Sequence, residues 1–303
     1  MEQSFLAWLC GRQQTLPQVA VVIGDDAAIL DPPEGQLVLA NDGIVDGVDF
    51  LTDQHALADI GHKALAINLS DLAAMGAEPI ALLVNLSLPE TNATQTAAGV
   101  YEGILATAAA HQMAIAGGDI TVYRGPLAIS ITIVGRVPTG AGWLRSGAEV
   151  GDTILVTGAF GGSILGRHLK VEPRVAAART LRDQLSIHAA IDVSDGLSLD
   201  LDRLCAASGV GAELDLQAIP IHPDAHRLAA ERQTDPLHHA LGDGEDFELI
   251  FTVPPDQRTR LAELDCGVAI TPIGTCTART GIWSLDSGRH VRLSPSGYVH
   301  GEH

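Results

Sequence analysis

Hydrophobic positions along the chain alternate between two periods, and the change of period marks out its elements. Short, apolar, partly β-branched runs at Val19 to Ile23 and Gln36 to Ala40 predict strands, each running directly into an acidic loop. His55 to Met75 has helical spacing, with Leu57, Ile60, Ala64, Ile67 and Asp71 on one broad side. Ile80 to Leu88 reads as a strand, Thr94 to His111 as a helix, and Leu127 to Val137 as a strand with clear alternation. The glycine-rich stretch from Pro138 to Gly151, which carries Arg145 and Ser146, predicts the domain junction, dividing the chain into 1–138 and 139–303. Beyond it, Thr153 to Thr157 predicts a strand, the residues after Gly158 a helix, Ala189 to Val193 a strand and Leu197 to Ala207 a helix. Phe247 to Val253 and Cys266 to Ile273 predict two more strands. The mixture is an α/β (α+β) composition in which both halves bring acidic loops to strand ends.

Composition narrows the class. A chain of 303 residues that is 46% hydrophobic can fold without covalent staples, although only 4% is aromatic. Eighteen Lys and Arg against 37 Asp and Glu leave a net charge of −19, which argues against clamping a nucleic-acid backbone. Lys63 and Lys170 are the only lysines, and no glycine-rich loop ends in Gly-Lys-Ser or Gly-Lys-Thr, so a Walker-A phosphate cradle is excluded. Cys10, Cys205, Cys266 and Cys276 form no Cys-x-x-Cys pair and read as reduced thiols. The opening Met-Glu-Gln-Ser-Phe has no basic leader, and apolar runs such as Leu127 to Val134 are far shorter than the ~20 residues that span a bilayer. The expectation is a cytoplasmic protein with no membrane insertion.

The surplus acid recurs in one setting. Asp25 and Asp26 lie in Gly-Asp-Asp-Ala-Ala, Asp42 in Ala-Asn-Asp-Gly, Asp71 in Asn-Leu-Ser-Asp-Leu, and Asp119 ends Ala-Gly-Gly-Asp. Asp192 and Asp195 bracket Ser194 in Ile-Asp-Val-Ser-Asp-Gly, and Glu245 and Asp246 stand in Gly-Asp-Gly-Glu-Asp-Phe. Any one alone is ordinary turn or cap chemistry. Together they border apolar segments rather than charged faces, and carboxylates that converge in a partly desolvated site need cations to offset their repulsion. An all-oxygen donor set suits Mg²⁺ better than zinc, and several Mg²⁺ ions suggest a polyphosphate ligand and phosphoryl transfer.

Other features carry blander readings. Gly158-Ala-Phe-Gly161-Gly162 reads as a tight strand-to-helix turn rather than a phosphate cradle. His238, His239, His300 and His303 lack zinc-ligand spacing and read as surface residues. Asp200 and Asp202 read as solvated or capping charges of their helix.

The ordered motifs resemble the thiamine-monophosphate kinase family. They are Gly24-Asp25-Asp26-Ala27-Ala28, Asp42 to Phe50, Lys63 to Ala77, Gly117-Gly118-Asp119, Arg145-Ser-Gly-Ala148, Asp192-Val-Ser-Asp-Gly-Leu197, Gly244 to Leu249 and Gly297-Tyr298. The resemblance covers essentially the whole chain, and the run from Lys63 to Ala77 is its most specific part. It implies the two-domain fold of the superfamily that holds aminoimidazole-ribotide synthetase, selenophosphate synthetase and a hydrogenase-maturation protein. In that fold the N-terminal sheets of a homodimer pair into a barrel, and the C-terminal domain is α/β. The reaction implied is ATP plus thiamine monophosphate to thiamine diphosphate plus ADP, with Mg²⁺ and, by analogy, potassium.

By the same resemblance Asp26, Asp42, Asp71, Asp119, Asp192 and Asp195 hold Mg²⁺. Gly118, Asp119, Arg145 and Ser194 contact ATP, Arg145 and Asp195 act in catalysis, and Asp49, Glu245 and Tyr298 contact the substrate. Departures are also present: Asp49 replaces the family's usual histidine, Ala40, Asn41 and Gly43 replace hydroxyl residues around Asp42, and the segment from Gly158 to His168 is short. These leave two alternatives, another ATP-dependent synthetase of the superfamily with a changed acceptor, and a non-catalytic nucleotide-binding scaffold.

Overall fold

A computed structural model of the chain describes every residue except 1, 13–15, 17–18, 22–26, 31–33, 287–288, 300 and 302–303. The predicted ligand Asp26 therefore lies outside the described residues, with Gly24 and Asp25. Two units separate: Met1–Leu72, Ala77–Ala141 and Leu169–Val171 form the first, and Ala73–Gly76, Gly142–His168 and Glu172–His303 the second.

The first unit contains helix α1 (Glu2–Cys10), strands β1 (Val19–Val21), β2 (Ile29–Leu30) and β3 (Gln36–Val45), and helix α2 (Leu57–Ala74), whose last residues belong to the second unit. It continues with β4 (Glu78–Pro89), α3 (Ala93–Ala110), β5 (Ala114–Tyr123) and β6 (Ala128–Val137). Its main sheet has the order β3-β6-β4-β5, antiparallel except for the parallel pair β4 and β5. Along β4 the pleat sends Leu82, Val84, Leu86 and Leu88 into the core, while Leu83 and Asn85 between them stay exposed. Helices α2 and α3 meet at two glycines. A Cβ on Gly61 would sit 1.9 Å from Val100 O and one on Gly103 1.8 Å from Ala58 O, so neither position admits a side chain.

The second unit contains β7 (Thr153–Thr157), α4 (Val175–Gln184), β8 (Ala189–Asp192), α5 (Leu197–Ser208), β9 (Gly211–Leu214), α6 (Pro223–Arg232) and α7 (Pro236–Gly242). β10 (Leu249–Val253), β11 (Ile270–Thr277), β12 (Gly281–Asp286) and β13 (Arg289–Leu293) complete it. Its sheet runs β13-β12-β9-β11-β7-β10-β8, antiparallel except between β9 and β12. The central strands β7 and β10 are buried along their whole length, which explains their near-continuous apolar sequences. Ile154, Val156 and Ile250 pack with Leu197, Leu201 and Leu204 of α5, while Leu155 and Phe251 pack with Ala178 and Leu181 of α4.

Four expectations are corrected. Residues 114–123 form a ten-residue strand that the sequence did not suggest, and Gly118 and Asp119 stand inside it rather than in a loop. Asp42 likewise lies within β3, which runs on to Val45. No α-helix follows Gly158; the chain makes 3-10 turns at Ser163–Leu165 and Arg167–Leu169, and α4 begins only at Val175. Phe247 is a left-handed turn residue, with φ of 51°, and β10 starts two residues later.

Candidate active site

In the second unit three loops interlock at one end of the sheet. β8 ends at Asp192, directly across from Leu249 at the start of β10, so the segments 193–196 and 243–248 emerge side by side. Val193 N–H donates to Glu248 O (2.8 Å), Phe247 N–H to Val193 O (2.8 Å) and Glu245 N–H to Ser194 O (2.6 Å). Tyr298 N–H donates to Asp195 O (2.9 Å), which ties in the chain's C-terminal segment. Close approach dictates the glycines here: a Cβ on Gly244 would lie 2.8 Å from both Ser194 O and Asp195 O, and one on Gly297 2.6 Å from Asp195 O. Glu245 and Phe247 pay about 1 to 3 kcal/mol each for left-handed backbone, φ 53° and 51°. Ser194, Asp195, Glu245 and Tyr298, picked out by sequence, are thus brought together, with Asp192 buried at the strand end beneath them.

Beneath this knot lies a layer of buried charge. Asp246, 7% exposed, accepts from Gly161 N–H (3.0 Å) and from Arg167 (2.8 Å). Burial outweighs that arginine and pushes its carboxyl up to about 7. Glu248 is gripped in bidentate fashion by Arg174, at 2.7 and 2.5 Å, and accepts from Thr157 Oγ1 (2.6 Å). Asp243 accepts from Gly162 N–H (2.8 Å) and faces His239 Nδ1 (2.9 Å). The Gly161 and Gly162 amides therefore serve the protein's own carboxylates, in keeping with a turn rather than a phosphate cradle. His239 is buried, 3% exposed, between Thr234 and Asp243, which corrects its surface reading. Asp200 is fully buried rather than solvated; its carboxylate accepts from Asp195 N–H (2.9 Å) and Gly196 N–H (3.2 Å), and burial raises its affinity for a proton.

Arg145 is exposed; Ser208 Oγ donates to its carbonyl (2.9 Å), and its guanidinium has no partner among the described residues. Asp195 is different, since Arg203 pairs with its carboxylate.

In the first unit Asp42 is half-buried on β3, and its N–H donates to Asn68 Oδ1 of α2 (3.0 Å). Asp71, half-buried, follows Asn68 by three residues on the same helix face. Asp119 is exposed on β5, in register with Asn85. Gly118 beside it has φ of 154°, and a Cβ there would lie 1.9 Å from Val84 O, so strand pairing itself requires glycine. Asp49 accepts from Val45 N–H (2.7 Å), and the buried Lys63 donates to its carbonyl (2.8 Å). The neighbouring Asp46 and Thr52 line a cavity of about 430 Å³ together with Asn92, Gln95 and Thr96. Among the described residues no group of three or more His, Cys, Asp or Glu side chains is gathered as a metal site.

Comparison with known proteins decides the family. Residues 24–137 match the model of the AIR synthase related protein N-terminal domain, and residues 140–283 that of its C-terminal domain. The thiamine-monophosphate kinase of Rhodopirellula baltica is 54% identical over 311 residues, spanning 100% of this chain and 98% of that protein. This chain belongs to the thiamine-monophosphate kinase family. The crystal structure of the Stenotrophomonas maltophilia K279a thiamine-monophosphate kinase is 34% identical, with a TM-score of 0.82, and covers 94% of this chain and 96% of that one. A structure of AaThiL complexed with AMPPCP and TMP is 27% identical, with a TM-score of 0.78 and 92% coverage of both chains.

Among thiamine-monophosphate kinase motifs, those carried by backbone geometry were the most legible: Gly244, Gly297 and the Asp-Val-Ser-Asp-Gly turn. Arg203 and Asp200 were missed as site residues. Their i, i+3 spacing on α5 was the available signal, but nothing in sequence distinguishes it from a surface pair.

Proposed function

We propose that this member of the thiamine-monophosphate kinase family is a cytoplasmic enzyme that transfers the γ-phosphoryl group of ATP to thiamine monophosphate, giving thiamine diphosphate and ADP. The observation that carries this reading is the end-to-end 54% identity with the Rhodopirellula baltica thiamine-monophosphate kinase. The AaThiL complex with AMPPCP and TMP supports it, AMPPCP standing in for ATP.

The metal-binding carboxylates in this reading are Asp42, Asp71 and Asp119 of the first unit and Asp192 and Asp195 of the second, with Asp26 as a sixth. Their donors are all carboxylate oxygens, and Asp195 follows Asp192, the last residue of β8, by three positions, so the set fits Mg²⁺. Mg²⁺ supplies charge neutralisation on the phosphates when bound. Gly118 and Ser194 contact ATP through backbone and hydroxyl. Arg145 brings an exposed, unshared guanidinium to the transferring phosphate. Asp49, Glu245 and Tyr298 contact thiamine monophosphate, the tyrosine ring stacking on the flat heterocycle. No protein nucleophile is needed, because a phosphate monoester with second pKa of about 6 is already largely deprotonated at neutral pH, and in-line attack is direct.

We also propose a homodimer built on the open face of the four-stranded sheet, where Leu37, Leu39 and Leu83 are 53%, 66% and 41% exposed. The activity test is purified protein with ATP, Mg²⁺ and thiamine monophosphate, with and without potassium, followed by chromatography for thiamine diphosphate. ATP turnover that yields none, or no turnover at all, overturns the reading. Sedimentation as a monomer at micromolar concentration overturns the dimer.

A further inference from the structure

Asp200 and Arg203 face each other across one turn of α5, directly behind the loop that carries Asp195. The two oxygens of Asp200 divide their work. Oδ2 accepts from Asp195 N–H (2.9 Å) and Gly196 N–H (3.2 Å), and Oδ1 accepts from Arg203 Nη1 (2.7 Å). The carboxylate is fully buried, and these donors are the compensation that a buried charge requires. The same Arg203 Nη1 pairs with Asp195 Oδ2. Asp200 thereby holds Asp195 twice, once through its backbone amide and once through the guanidinium on its side chain.

We propose that Asp200 and Arg203 act together as positioning residues for Asp195. Arg203 holds Oδ2, so that Oδ1 is the oxygen left for a divalent cation. The inference rests on the reading of Asp195 as a metal-binding carboxylate and adds to it the device that sets its direction. The two N–H bonds of the planar Nη1 point in fixed directions, one to each carboxylate, whereas a lysine ammonium rotates freely about its stem. Asp195 carries a net negative charge only in part while Arg203 is paired with it. Removing Arg203 would by electrostatics alone tighten cation binding, so weakened binding on its removal reports lost geometry.

The full-length protein serves for the test, with Mn²⁺ binding in the presence of AMPPCP read by electron paramagnetic resonance, and with the Mg²⁺ dependence of turnover measured in parallel. Arg203→Met and Asp200→Asn are each expected to weaken Mn²⁺ binding about tenfold and to raise the half-activating Mg²⁺ concentration to match. KM for thiamine monophosphate is expected to stay within about twofold. Arg203→Lys, which keeps the charge and the fold, is expected to weaken Mn²⁺ binding about threefold and decides the matter if the other two variants do not fold. Mn²⁺ affinity at or above that of the unaltered protein in the Arg203 variants overturns the proposal. Asp195→Asn separates the two levels: if it binds Mn²⁺ as the unaltered protein does, the ligand reading of Asp195 fails. If it loses binding while the Arg203 variants keep theirs, only the positioning role fails.

Discussion

Replacing Asp246 by asparagine tests whether burial controls the charge beneath the interlocked loops. The carboxyl is buried and its pKa is pushed from 3.8 up to about 7, first by desolvation, against the opposing pull of Arg167. In the unfolded chain it returns to the ordinary range. A proton is thus bound more tightly in the folded state, and the stabilisation is fully present below about pH 4 and lost as pH rises through about 7. At about 1.4 kcal/mol per unit, with saturation near the folded pKa, the loss between pH 5 and 8 is about 2 to 3 kcal/mol. Urea unfolding at pH 5, 6, 7 and 8 measures it, and a Trp8→Phe background leaves Trp143 and Trp283, both in the second unit, as fluorescent probes. Asp246→Asn, which cannot ionise, is expected to lack this component, so the stability of parent minus variant should fall by about 2 to 3 kcal/mol across the window. A difference that stays constant within about 0.5 kcal/mol refutes the reasoning, because it means that Arg167 keeps the carboxylate ionised throughout.

Three further outcomes are expected. Arg174→Met strips the buried Glu248 of its bidentate partner and should cost about 3 to 5 kcal/mol, seen as a lower urea midpoint of the second unit. Gly118→Ala places a Cβ 1.9 Å from Val84 O, so β4 and β5 must separate, and a loss of about 3 kcal/mol or more is expected by thermal unfolding. Asp71→Asn should lower kcat about 100-fold at ordinary Mg²⁺ while circular dichroism stays native; full activity would remove Asp71 from the metal site.

Periodicity made the large elements legible. Strands β4 and β6 and helix α3 were visible because each has one face more buried than the other, which leaves a repeat of apolar positions in the sequence, whereas α2, buried on nearly every side from Ile60 to Ala74, was visible through its long apolar run. Strand β5 was not visible. Gly117 and Gly118 interrupt its pattern and resemble turn residues, whereas Gly118 is there because the strand passes too close to Val84 for any side chain. The segment after Gly158 misled for a related reason: its glycine amides are committed to Asp243 and Asp246, more than 80 positions away along the chain, and not to starting a helix.

The sequence by itself determined the family, the acidic motifs and the glycine-bounded turns, because these depend on residue type at short range. Only the tertiary structure decided which charges are shared. Arg167 on Asp246 and Arg174 on Glu248 join loops 79 and 74 positions apart along the chain, and the local pairing of Arg203 with Asp195 and Asp200 differs from a surface pair only because packing buries Asp200. Desolvation at those meeting points makes each pairing obligatory, and desolvation is a property of the packed molecule that no local stretch of sequence contains.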